Sequence, residues 1–441
     1  MITYIEPKIL KGFRDFLPDT EIARRGLTEK IENTFRSFGF VPIDTPAIEY
    51  AEVLLGKGGG ETEKQIYRFK DNGERDVALR FDLTVPFARF TALHREELSF
   101  PFKRYHIGKV WRGENTQRGR YREFTQCDFD IIGSESPACD FEILLLIKTA
   151  FLNLGLDVTI HVNHRGLFNR FLSHTGQNEK SVDILRAVDK LSKIGKDETL
   201  KNLSELTGKE NAAKIMDFIE SKGNFNDVFN HITELSGGLS PEAERLSMLR
   251  NFMIDACGYA SDSKEPFILD PSITRGLDYY TGVVFETFLN ELPGIGSICS
   301  GGRYDNLAGL YSKGDSVSGV GSSIGLDRLL AALENLNKLP RIDNKCIAAI
   351  ACVDEKKSGR YQALAGIFRL QGVPLEVFTD AAGSEKQLVK QFVLAEKKGM
   401  RYVLIQENDP ANGMVTVRDL KTRKNAEYEI NDAIELIKNQ S

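Results

Sequence analysis

Two runs of alternating β-formers separated by a short charged loop leave a chain little choice, because each run finds its nearest partner in the other. Residues 102–111, FKRYHIGKVW, form the first run, with one glycine among the β-formers. The second, FTQCDFD at 124–130, follows a segment in which four arginines (Arg112, Arg118, Arg120, Arg122) and two glutamates (Glu114, Glu123) fall within twelve positions. Residues 115–119 are rich in turn formers. The text therefore predicts strand, charged loop, strand: a hairpin with Arg112 and Glu114 on one arm and Gln126 and Asp130 on the other. Period-two geometry puts Phe124, Gln126, Asp128 and Asp130 on one face. Two acids and an amide are costly in a core, so this face is expected to line a ligand site. An exposed hairpin with solvated charges is the plainer alternative.

With 441 residues the chain has room for two or three domains with large cores. Its 41% hydrophobic and 27% charged content is that of an ordinary globular protein. A net charge of −5 argues against general coating of nucleic acid, though not against recognition of one folded RNA. Residues 341–441 hold 16 Lys and Arg against 14 Asp and Glu, a balance of +2 that mildly favours an RNA-facing tail domain. Six scattered cysteines form no CxxC pair, so neither a zinc ribbon nor a disulfide scaffold is expected, and a reducing compartment is. The text shows no secretory signal and no window of 18 apolar residues; a cytoplasmic protein without a membrane partner is expected.

In chain order, residues 11–18 form a loop before a helix over 20–37, whose stripe is Ile22, Leu27, Ile31 and Phe35. Gly39 ends it, and FVPIDTP (40–46) reads as an edge strand, since prolines cannot donate to a ladder. KGGGE (57–61) lacks both the GK[ST] ending and the preceding strand of a phosphate loop, so a flexible loop is expected. In ALRFDLTVPFAR (78–89), Asp82 and Thr84 read as a helix cap before Pro86, although a carboxylate and a hydroxyl can both accept from an ammonium. A helix over 137–154 and a strand over 158–163 follow. His161 and His164 stand three apart with no third ligand, so no zinc is expected there. Residues 166–262 read as helical, with a loop at 236–241. TRGLDYYTG (274–282) comes next; its tyrosine pair alone would pass for core aromatics. SGGRYD (300–305) and GVGSSIGLDRL (319–329) follow, the latter a glycine-rich strand entering a helix whose N-terminus favours phosphate. A polar linker over 335–345 then leads into alternating strands and helices, a small α/β domain.

Several of these stretches resemble class II aminoacyl-tRNA synthetases. Arg112-Gly113-Glu114, a loop and Phe124 resemble that family's second signature motif; the first helix and strand, and the segment ending at Arg328, resemble its first and third. GRYREFTQCDFDIIG, DLTVPFAR, RGLDYYTG and GGRYD are similar to histidyl-tRNA synthetases in particular, and the resemblance covers nearly the whole chain in order. It implies an α+β fold: an antiparallel-sheet catalytic domain over 1–165 and 263–338, a helical insertion over 166–262 and an anticodon-binding domain over 345–441.

The resemblance also implies roles. Arg112 and Arg275 hold the α-phosphate and act in catalysis, Arg275 touching the amino-acid carboxylate as well. Glu114, Arg120, Tyr121 and Phe124 surround adenosine with Arg112, and Arg328 clamps the γ-phosphate. Asp82, Thr84 and Gln126 take the amino group of histidine, while Asp130, Tyr279, Tyr280 and Tyr304 surround its imidazole. Delocalised arginine suits phosphate because its planar fork matches the oxygens and keeps its charge. Magnesium is expected to arrive with ATP, tRNA(His) to be the acceptor, and a homodimer to form through the first motif. One departure is Ser322-Ser323, where a glycine/alanine pattern is common in the third motif. Two rivals remain at this point: a catalytically silent, synthetase-like regulatory subunit, and another class II synthetase.

Overall fold

The two alternating runs do pair. In the computed structural model, Phe102–Trp111 (β2) and Glu123–Ile132 (β3) form an antiparallel hairpin with Arg104 opposite Asp130, His106 opposite Asp128 and Gly108 opposite Gln126. The structure describes residues 4–56, 61–117, 119–258, 265–273, 280–305, 307–311, 317–339, 346–406 and 413–439. The hairpin is the backbone of an eight-stranded sheet that also contains Val41–Pro42 (β1), Val158–His164 (β4), Ile268–Leu269 (β5), Val283–Leu289 (β6), Cys299–Tyr304 (β7) and Gly319–Gly325 (β8). Strand order is β1-β2-β3-β8-β7-β6-β4-β5. The pairs are antiparallel except at the two ends, where β1 runs parallel to β2 and β4 parallel to β5. As Pro42 requires, β1 lies at an edge.

The alternation in β3 divides the sheet into two environments. Cys127, Phe129 and Ile131 point into the apolar core, essentially without solvent exposure. Helix Pro18–Ser37 (α1) covers them with Leu27, Ile31 and Phe35, the Phe35 ring lying 4.8 Å from Phe129 and 5.6 Å from Tyr105. Helix Pro137–Asn153 (α3) packs Ile143, Leu144 and Ile147 into the same core. It starts where the text says it should, since Ser136 caps the Ala138 N–H and proline occupies the first turn. The opposite face of β3 carries the polar set.

Residues 165–257 are helical, closing with Pro241–Cys257 (α4), which Ser240 caps at its start and left-handed Gly258 ends. Their apolar faces join the core of the sheet, with Phe225 edge-on to Phe267 at 5.9 Å. A three-stranded sheet, in the order Ile48–Tyr50, Asp76–Leu79, Arg68–Lys70, was not anticipated. Its strands are too short to show a period. It ends at Leu79 and delivers Arg80, Asp82 and the helix Thr84–Leu93 (α2) to the polar face of the large sheet.

The chain divides into two compact units, Met1–Phe16 with Arg24–Leu339, and Leu17–Ala23 with Pro340–Ser441. The C-terminal region has its own core and a mixed sheet in the order Leu375–Val377, Ala348–Ile350, Tyr402–Ile405, Met414–Asp419, Lys424–Glu429. Its last strand was missed because KNAEYE is an exposed edge with no apolar alternation to read. No helix among the described residues is long and apolar enough to cross a membrane.

Candidate active site

Register assembles the site. Phe124, Gln126, Asp128 and Asp130 of β3 face the same way as Arg104, His106 and Gly108 of β2, and as Gly321, Ser323 and Gly325 of β8. Beyond β8, Ser300, Gly302 and Tyr304 of β7 continue this face. Several glycines of this face are sterically obligatory. A Cβ on Gly321 would sit 1.9 Å from Asp130 Oδ1, and one on Gly302 would sit 2.9 Å from Tyr280 Cδ1. The departure at 322–323 also acquires a reason. Ser322 turns to the core and meets Cys299 Sγ at 3.1 Å, while Ser323 turns to the site and accepts from Gln126 Nε2 at 2.9 Å.

At the outer end of β3 a cleft of about 130 Å³ is lined by Arg112, Glu114, Arg120, Tyr121, Phe124, Gln126 and Arg328. The residues expected around ATP are thus brought together. Arg112 donates through Nε to the Phe81 carbonyl at 3.1 Å, and its guanidinium lies 4.5 Å from the Phe81 ring and 5.1 Å from the Phe124 ring. Arg120 Nη1 stands 3.9 Å from Glu114. Arg328, at the start of the helix Leu326–Asn335 (α5), donates to the Ser297 carbonyl at 2.5 Å.

The inner end is a buried polar network. Tyr304 donates to Asp130 Oδ1 at 2.7 Å, and Arg104 Nη2 lies 2.6 Å from Asp130 Oδ2, an ion pair whose geometry is not that of a hydrogen bond. Arg104 is fully buried, 4.1 Å over the Phe87 ring. Asp82 Oδ1 accepts the backbone N–H groups of Thr84 and Val85, so the residue does cap α2. Tyr280 packs against the cluster that contains Tyr304. Arg275 and Tyr279 lie outside the described residues, as do residues 57–60.

Burial pushes the carboxyl of Asp128 up to about 7, opposed by Arg104 and reinforced by Asp130. Burial also raises Asp82 and Asp130. A carboxyl raised in the folded state binds its proton more tightly there than in the unfolded chain. Its favourable contribution is therefore complete below its unfolded value and lost as pH climbs through the folded one. For Asp128 that window runs from 3.8 to about 7. Asp128→Asn is expected to gain stability relative to the unaltered protein across this window, by up to about 1.4 kcal/mol per pH unit. Denaturant midpoints of both proteins at several pH values measure it; parallel curves would place the titration elsewhere.

Two important side chains, Arg104 and Arg14, carried no motif signal, and a third, Arg303, sits inside GGRYD but takes a role the motif text did not suggest. Arg104 is hidden in an ordinary-looking strand. Arg14 stacks 4.0 Å over Tyr121 and pairs with Asp327 at 2.5 Å, while Asp327 also accepts from the Thr125 N–H at 2.6 Å. Arg303 does not face the site at all: it is buried against Asp140, which also holds Arg245 of α4.

The comparisons agree with this arrangement. The histidyl-tRNA synthetase family model matches residues 12–329, and an anticodon binding domain model matches residues 348–440. A histidine–tRNA ligase of Treponema denticola is 48% identical, over 99% of this chain and 99% of its own. One of Rhodopirellula baltica is 44% identical, over 95% of each. A crystal structure of histidyl-tRNA synthetase from Nostoc matches with a TM-score of 0.81 at 31% identity, covering 99% of this chain and 100% of that one. With synthetase motifs converging on one sheet face, and relatives this similar along nearly its whole length, the chain belongs to the histidyl-tRNA synthetase family.

Proposed function

We propose that this chain is a histidine–tRNA ligase. It joins histidine to ATP, the carboxylate oxygen attacking the α-phosphorus and pyrophosphate leaving. It then passes the histidyl group to a 3′-terminal hydroxyl of tRNA(His), with AMP leaving. The observation that carries this reading is the sorting of charge along β3. The outer end holds Arg112, Arg120 and Arg328, and the inner end holds Asp82, Asp128 and Asp130. A triphosphate is drawn to the first, and an amino acid with a cationic ammonium and a ring donor to the second.

Within that frame Phe124 and Glu114 receive adenosine with Arg120 and Tyr121. Arg112 and Arg275 stabilise the phosphate charge that grows during attack, and Arg328 holds the γ-phosphate. Asp82 has one oxygen committed to capping α2, and the other meets the ammonium together with Thr84 and Gln126. Asp130, Tyr279, Tyr280 and Tyr304 enclose the imidazole. No side chain is assigned as a general base; positioning and preorganised charge do the work. Magnesium belongs to the substrate as MgATP. Dimerisation through α1 and the exposed edge strand β1, anticodon binding by residues 345–441 and a cytoplasmic setting are parts of the same proposal. The silent regulatory subunit is not favoured, because this chain keeps the synthetase arginines Arg112 and Arg328 and the C-terminal α/β region.

ATP–pyrophosphate exchange over a panel of amino acids tests the reading. Histidine alone is expected to support exchange. Exchange with a different amino acid would overturn the specificity, and none at all would restore the regulatory alternative.

A further inference from the structure

We propose that Asp128 is a further histidine-binding residue, its Oδ1 accepting a ring N–H of the substrate. The inference rests on the ligase reading above and adds a contact to it. Asp130, the carboxylate first expected to take the ring, already accepts the Tyr304 hydroxyl on Oδ1, and its Oδ2 is charge-paired with Arg104 at 2.6 Å though without a hydrogen bond. A protonated imidazole that enters beside it carries two N–H groups, so a second acceptor is needed. Asp128 lies two residues nearer the cleft on the same strand face and is only 2% exposed; the Ser323 hydroxyl stands beside its carboxyl, yet its Oδ1 has no hydrogen-bond partner. An orphaned buried carboxylate oxygen costs stability unless something fills the role of its missing donor.

The orphan is not alone. Gln126 Oε1, one position outward on that face, is also buried without a partner, and so are Nε and Nη1 of Arg104 across the hairpin. Unfilled acceptors and donors thus converge on one small region, a pattern that suits a ligand bearing both N–H groups and a polar acceptor. A larger neighbour does not intervene, for β8 contributes Gly321 and Ser323 opposite Asp130 and Asp128. Nor does His106, the cross-strand partner of Asp128, supply a cation. Burial and the nearby Arg104 hold it down to about 3, so it stays neutral, with Nε2 2.9 Å from Asp44. Arg104 is shared among Asp82, Asp128 and Asp130, and Arg80 also acts on Asp128. An incoming N–H donor relieves a carboxyl that, unlike Asp130, makes no ion pair with Arg104.

The test uses the full-length protein and three titrations: histidine, ATP, and β-(2-thienyl)alanine, whose five-membered ring has no N–H. Asp128→Ala removes the acceptor, and Asp128→Asn keeps a neutral one. Histidine binding should weaken on the order of 10–100-fold in Asp128→Ala and less in Asp128→Asn. ATP and thienylalanine binding should be unchanged, and Tm should not fall, since an orphaned polar group has been deleted. Unchanged histidine affinity would overturn the proposal. So would equal weakening of histidine and thienylalanine, or joint loss of ATP binding and Tm, because each marks a purely structural residue. Failure of the unaltered protein to bind histidine would instead refute the ligase reading, and the contact with it.

Discussion

Arg104→Ala is expected to destabilise the protein by about 3–5 kcal/mol at neutral pH, because it strands a buried carboxylate. Arg104 has no solvent exposure and sits 2.6 Å from Asp130, itself 2% exposed. The intact pair is not expected to add much over an apolar replacement of both partners, since desolvation offsets attraction. Removing one partner is different. Asp130 loses its counter-charge but keeps its burial, with Asp82 and Asp128 nearby. The variant should therefore recover on acidification, when Asp130 can take a proton and be buried neutral. Chemical denaturation at pH 7 and again near pH 5 measures both parts. A cost that is small at pH 7, or the same at both values, would mean that Arg104 does not neutralise this cluster.

Arg112→Ala is expected to lower the rate of pyrophosphate exchange by on the order of 10²–10³-fold with little change in stability. The two effects separate because of how the residue is held. Its guanidinium is half-buried, tethered by one hydrogen bond to a backbone carbonyl and flanked by the rings of Phe81 and Phe124. Those contacts are worth a single weak hydrogen bond and about 0.5–1 kcal/mol of cation–π attraction. What they achieve is orientation: a fork fixed over the cleft before substrate arrives. Charge that develops on a phosphate in the transition state then meets a donor that need not reorganise. Exchange at the unaltered rate would remove Arg112 from catalysis and leave it a packing residue.

Much of the site was legible because period-two geometry is local. Once 102–111 and 124–130 are strands, Phe124, Gln126 and Asp130 must share a face, and the structure keeps them there. The helix α3, its cap at Ser136 and the entry from β8 into α5 follow equally local rules. Arg104 was not legible. An arginine in an alternating strand looks solvated, and only the neighbouring strand and Phe87 reveal that it is buried. The same holds for Arg14, which reaches Tyr121 and Asp327 across more than a hundred residues of chain.

The amino-acid sequence by itself thus determined the fold class, the strand faces and the family, because periodicity, turn chemistry and motif text depend on neighbours in the chain. Tertiary structure alone decided which charges neutralise which. Asp130 was claimed by Tyr304 and Arg104, and Asp128 was left with an open acceptor. The reason is physical: a carboxylate's partner and its desolvation are set by groups that folding brings within about 4 Å, and no spacing along the chain encodes that distance.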